Sequence, residues 1–182
     1  MDQNQTLTAK DIVNQYSFDD LVKIFFEFGE EKFARIIAKN IVLKRQENAI
    51  ITTFDLVDVI KDALPEKVLR KKGHPAKKVF QALRIAVNNE LNILEESLRM
   101  GIDLLKPKGR MAVITFHSLE DRIVKNLFKK LSVIEIPKGL PIISNEVPKI
   151  KLINRKVIIA SEEELDDNNR AHSAKLRVIE KN

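Results

Sequence analysis

Between Thr115 and Arg122 the chain sets six polar side chains in eight residues: Thr115, His117, Ser118, Glu120, Asp121 and Arg122. An imidazole, two hydroxyls, two carboxylates and a guanidinium can move a proton, hold an amine or read the edge of a base. Nucleophilic catalysis by a Ser-His-Asp triad fits poorly, because neighbours on one turn do not line up as nucleophile, base and orienter. Metal chemistry has little to work with: His74, His117 and His172 are far apart in sequence, without H-x-E or H-E-x-x-H spacing, and there is no cysteine. The glycines Gly29, Gly73, Gly101, Gly109 and Gly139 stand singly, so no phosphate-cradling G-x-G-x-x-G or Walker loop exists.

The elements that must position this cluster are a strand and a helix. "GRMAVITF" is a nearly continuous apolar run, which predicts a strand covered on both faces. The helix that follows is expected to be capped by Ser118, with Asp121 three residues on as capping-box partner and Glu120 favoured by the helix dipole. Capping then accounts for three of the polar groups and leaves His117 and Arg122 unexplained. In open α/β sheets ligands gather at the carboxyl ends of strands, which is where this turn lies.

Upstream, the chain reads as helices. Thr8, Ser17 and Thr52 look like N-caps, the last two with aspartates three residues on, and Gly29 suits a helix stop. Apolar stripes such as Leu21, Ile24, Phe25 and Phe28 mark a core rather than a site. From Pro75 a helix is expected to run through "AKKVFQALRIAVNNEL", with Gln81, Arg84 and Asn88 on one side. That polar ridge can read a base or clamp a phosphate, and it can equally be a solvated face. A further helix carries Leu94, Leu98, Ile102 and Leu105. Downstream lie a proline-punctuated loop over 132–149, a strand in "KLINRKVIIA", a short helix capped by Ser161 and a last strand in "AHSAKLRVIEK".

Charge is uneven. The net charge is +6, and residues 63–90 hold seven basic side chains against Glu66 and Glu90. Such a stripe suits phosphates, or it is a solvated lysine-rich linker. No apolar stretch approaches the ~20 residues that a membrane-spanning helix needs.

Three strings, "GHPAKKVFQALRIAVNNEL", "GRMAVITFHSLEDRIVK" and "NRAHSAKLRVIEK", resemble successive signatures of the bacterial 16S rRNA (cytosine-N4)-methyltransferase family, also called the MraW or RsmH family. "YSFDDLVKIFFEFGEEKFARIIAKNIV" and "ITTFDLVDVIKDALP" resemble its inserted helical region. The resemblance implies an α/β fold: an all-helical inserted domain over 1–72, then the C-terminal half of a Rossmann-like methyltransferase sheet over 73–182. The strands near 110–116, 150–160 and 174–180 would be the last three of that sheet.

It further implies methyl transfer from S-adenosylmethionine to the exocyclic N4 of a cytosine in the decoding region of the small ribosomal subunit, in the cytoplasm. On the family's pattern His117, Ser118, Glu120 and Asp121 form the wall facing the target base. Gln81, Arg84 and Asn88 assist. His74, Lys77, Lys78, Arg122, Arg170, Lys175 and Arg177 meet RNA. The family's cofactor-binding parts lie in an N-terminal region with no counterpart here. The chain is therefore expected to bind no cofactor, to be inactive alone, and to need a complementary N-terminal fragment besides 16S rRNA. Lacking the cysteines that some members carry in the loop before the penultimate strand, it is also expected to bind no zinc. A non-catalytic rRNA- or ribosome-binding fragment is the alternative, and half a sheet would leave Val113, Ile114 and their neighbours uncovered. Lys108 stands where the family commonly has a P-G-G turn.

Overall fold

The computed structural model describes residues 5–134 and 147–182, so most of the proline-punctuated loop lies outside the described residues. The fold is mixed α/β, mostly helical, with a small three-stranded antiparallel sheet. It divides into two compact units, 1–90 and 91–182.

The first unit contains α1 (Ala9–Gln15), α2 (Phe18–Glu27), α3 (Ala34–Glu47), α4 (Thr53–Ala63), α5 (Glu66–Leu69) and α6 (Lys77–Asn88). Its starts follow the expected chemistry: Thr8 and Thr52 form reciprocal capping boxes with Asp11 and Asp55, and Ser17 accepts from the Asp20 N–H. The expected boundary at 72/73 differs from the division into compact units, because α6 packs with the helices before it. Val79, Ala82 and Leu83 are buried in one cluster with Leu21, Phe25 and Ile37. The α6 helix also starts later and ends earlier than expected. Asn89 takes a left-handed conformation at φ 49° and closes it, a geometry that asparagine tolerates.

Gly29 does not supply the left-handed residue after α2; Glu30 does, at φ 47°. What Gly29 supplies is space. A Cβ there would lie 2.6 Å from the Phe25 carbonyl oxygen and 2.8 Å from that of Lys78.

The second unit contains α7 (Glu90–Leu104), whose first residue closes the first unit, then β1 (Arg110–Thr115), α8 (Ser118–Leu131), β2 (Ile150–Leu152), α9 (Glu162–Asp167), a 3-10 turn (Asn169–Ser173) and β3 (Lys175–Lys181). Ser161 caps α9 as expected, accepting from the Glu164 N–H. The strand order is β1-β3-β2, with β3 antiparallel to both neighbours. Arg110 and Glu180 are register partners and their side chains pair at 2.9 Å. The resulting charge neutralisation holds the Glu180 carboxyl below its ordinary pKa, chiefly through the Arg110 hydrogen bond. The core lies on one face of the sheet: Leu98, Ile102, Val124, Leu127, Phe128, Ile150 and Ile179, flanked by Met111 and Val113.

Two strand expectations are corrected. β1 is not covered on both faces: Met111, Val113 and Thr115 turn inward, while Ile114 (58% exposed) and, just past it, Phe116 (54%) face outward. β2 is three residues long, because Asn154 takes over the ladder. Its Oδ1 accepts from the Val178 N–H at 2.6 Å and its Nδ2 donates to the Leu176 carbonyl at 3.2 Å. Backbone pairing resumes only at the single Ile158–Leu176 bridge.

The β1 strand is entered through a turn whose Lys108 sits at φ 66° with the Gly109 N–H donating to the Lys106 carbonyl at 2.8 Å. Proline at the second position and positive φ at the third define a type II turn, which prefers glycine where Lys108 stands. Lys108→Gly is therefore expected to stabilise the protein by about 0.5–1 kcal/mol, since no side chain is then held in the left-handed region. A urea melt followed by circular dichroism checks it.

Candidate functional site

At the junction of β1 and α8 the cap is shifted by one residue from the expected pair. His117, not Ser118, is the N-cap: its Nδ1 accepts from the Glu120 N–H at 3.3 Å. Glu120 closes the box, its Oε2 accepting from the N–H groups of Phe116 at 2.8 Å and His117 at 3.3 Å. Glu120, rather than Asp121, thus serves the helix start. The physical reason lies across the sheet, where β3 offers Asp121 stronger partners.

Asp121 accepts two hydrogen bonds from Arg177, at 2.7 Å from Nε and 3.2 Å from Nη2, and Lys175 Nζ stands 3.5 Å away. The Asp121 and Arg177 side chains are each 13% exposed, so this bidentate pair is largely withdrawn from water. The guanidinium hydrogen bonds hold the Asp121 carboxyl below its ordinary pKa against the opposing effect of burial, and Lys175 adds to the depression. At neutral pH Asp121 is an anion bound to two cations, which makes it an anchor for β3 rather than a base.

His117 keeps one ring nitrogen that the cap does not use. With Nδ1 accepting, the neutral ring carries its proton on Nε2, and Nε2 is buried without an aligned hydrogen-bond acceptor among the described residues. Glu120 Oε1 comes within 3.2 Å of it but off the line a hydrogen bond requires. Beyond that carboxylate contact Nε2 has no aligned acceptor among the described residues, which leaves it able to meet a ligand. Ser118 is exposed at the same turn, and Arg122 lies on the exposed side of the first turn of α8.

The remaining predicted residues fall elsewhere. In the first unit His74 and Lys77 are exposed around the start of α6, and Lys78 Nζ donates to the Glu30 carbonyl at 2.8 Å. The Gln81–Arg84–Asn88 ridge is engaged internally. Gln81 donates to the Phe28 carbonyl at 3.2 Å, Arg84 grips Glu90 with contacts at 2.9 and 3.0 Å, and Asn88 donates to the Arg84 carbonyl at 2.7 Å. In the second unit Arg170 is exposed in the 3-10 turn, while Lys175 and Arg177 serve Asp121. The ridge and the turn at 115–122 belong to different compact units.

Arg45 and Asn154 escaped sequence reading. Arg45 donates to the Val13 and Tyr16 carbonyls at 2.8 and 2.7 Å, tying the end of α1 to α3. Neither residue belongs to a local motif that would have marked it.

Among the described residues no three His, Asp or Glu side chains converge as a metal site, and no helix is long and apolar enough to cross a membrane. Both carboxylates at the end of β1 are committed, Glu120 to the cap and Asp121 to Arg177.

A family model described as the MraW methylase family matches residues 1–182. The chain is 59% identical over 182 residues to the ribosomal RNA small subunit methyltransferase H of Lactobacillus gasseri, covering all of this chain and 58% of that relative. It is 57% identical over 182 residues to the protein of the same name from Lactobacillus johnsonii, again across all of this chain and 58% of the relative. The chain thus spans less than two thirds of the length of the curated relatives it matches.

Proposed function

Because the chain belongs to the MraW methylase family, we propose that it is the C-terminal portion of a methyltransferase acting on the N4 of a cytosine in the rRNA of the small ribosomal subunit. The observation that carries this reading is the match of the entire chain, at 59% identity, to a relative named as a small-subunit rRNA methyltransferase. On this reading residues 1–72 correspond to the helical insertion, and β1, β3 and β2 to the last strands of a Rossmann-like sheet. The outward face of β1 would be covered by the remainder of the longer protein.

The chain's own residues then divide the work. His117 Nε2 is the donor to the target base, held in place by its Nδ1 hydrogen bond to the start of α8. Glu120 fixes that turn, and Asp121 acts at one remove by locking Arg177 and Lys175. Ser118 completes the wall, and the exposed cations Arg122 and Arg170 meet RNA phosphates. S-adenosylmethionine is the methyl donor of the whole protein, and its pocket lies in the remainder.

Calorimetric titration tests the division. The 182-residue chain alone is expected to give no heat with S-adenosylmethionine, whereas the full-length protein binds it and labels cytosine N4 in small-subunit RNA. One-to-one heat from the chain alone would overturn the division. Absence of methylated cytosine from the full-length reaction would overturn the activity.

A further inference from the structure

The first unit holds a cleft of about 470 Å³ at the start of α6, which gathers His74, Lys77 and Lys78 with residues not yet assigned a role. Its size falls in the range of small-ligand pockets, about 300–1,000 Å³. Five lysines line it (Lys32, Lys71, Lys72, Lys77 and Lys78), and its floor is apolar: Phe33, Leu64, Val68 and Pro75. Gly73, at φ 109°, turns the chain between α5 and α6, so that both lysine pairs border one opening.

The charges are unbalanced where it matters. Among the described residues Lys32, Lys71, Lys72 and Lys77 make no ion pair, in contrast to Arg70 and Arg84, which are paired with Glu66 and Glu90. The only carboxylate in the lining, Glu31, is buried, and its Oε1 accepts from the Phe33 N–H at 2.9 Å. Exposed lysines without carboxylate partners leave the opening over this apolar floor positively charged. An anion with an attached flat apolar group satisfies both parts of the lining.

We propose that this cleft binds a single-stranded segment of RNA, with a base against Phe33 and Val68 and the flanking phosphates on Lys32, Lys71 and Lys72. The proposal rests on the reading of the protein as an rRNA-modifying enzyme and adds a residue, Lys32, that lies outside the basic stripe of residues 63–90. A duplex could offer its phosphates to the rim. Its stacked bases would gain nothing from the floor, so the strand preference is for unpaired RNA.

The test uses the full 182-residue chain with a dye-labelled, unstructured RNA strand of mixed sequence, alone and annealed to its complement. Binding is measured from low to moderate salt. Replacing three exposed lysines together, Lys32→Gln, Lys71→Gln and Lys72→Gln, is expected to weaken single-strand binding at least about tenfold and to flatten the log-log salt slope by about 2, at ~0.7 for each lost phosphate contact. Phe33→Leu is expected to weaken the single strand about fivefold or more with the slope unchanged, because stacking carries no counterion release. Thermal melts of both variants verify the fold.

If the wild-type chain binds RNA and the lysine variant binds it equally well with the same slope, the cleft assignment falls while the rRNA reading stands. Equal losses for strand and duplex overturn the single-strand preference. A wild-type chain that binds neither RNA overturns the rRNA reading itself, and the cleft with it.

Discussion

Asp121→Asn is expected to destabilise the second unit by about 2–4 kcal/mol, toward the lower end of what removing one partner of a buried ion pair costs because Lys175 remains partly solvated. The amide keeps the shape but not the charge, so Arg177 stays withdrawn from water facing a neutral group. Hydrogen exchange of the β3 amides, compared with those of α3 as an internal reference, reads the loss in the affected unit. Pairing the change with Arg177→Met should cost less than the sum of the single variants, since the stranded cation is then gone. The pH dependence follows from the depressed carboxyl. A depressed carboxylate contributes stability that is fully present above its unfolded pKa of about 3.9 and is lost as pH falls through the lower folded value. The gap between wild type and Asp121→Asn should therefore be constant at neutral pH and close below about pH 4. A gap that persists unchanged into acid would mean that the carboxylate's charge is not what holds β3.

Gly29→Ala is expected to cost about 3 kcal/mol or more, at or beyond the upper end of ordinary overpacking. The added methyl would meet two carbonyl oxygens, at 2.6 and 2.8 Å, and both belong to backbone fixed inside helices α2 and α6. No side chain can swing away to relieve the contact. Urea denaturation followed at 222 nm should show a lower midpoint, with protection lost first in α2 and α6. A midpoint within experimental error of wild type would show that the two helices can separate freely.

These two residues also mark how far the sequence could be read. Caps at Thr8, Ser17, Thr52 and Ser161 were legible because a hydroxyl followed three residues later by a carboxylate is a local signal. At the candidate site such a register, Ser118 with Asp121, overlaps an imidazole one, His117 with Glu120, and local preference favours the serine. A residue 56 positions away decided otherwise, because Arg177 claims Asp121. Gly29 was legible as a glycine that mattered but not for its reason, which is a close approach of two helices rather than a turn. The outward face of β1 followed from the half-sheet but could not be read from its apolar run. An apolar run is the same string whether its second face is covered by this chain or by another part of a longer protein. The basic stripe was visible as composition, yet Lys32 joined it only through tertiary packing.

The position of β3 between β1 and β2 sets an order on folding. β1 and β2 have no ladder with each other, so both wait for a strand that is made after them; the first register pair, Arg110 with Glu180, closes 70 residues of chain. Helices α2, α3 and α4 pack with neighbours a few dozen residues away, whereas α6 returns to α1 and α2 over a span comparable to that of the β1–β3 ladder. Long-range contacts form slowly, so the packing of α2, α3 and α4 should precede both the docking of α6 and the pairing of β1 with β3. During synthesis on the ribosome, α8 and its charged turn would emerge and coil long before Arg177 exists to receive Asp121. For that interval the buried imidazole, the open face of Ile114 and the unpaired β1 edge are all accessible together, and chaperone capture should concentrate there.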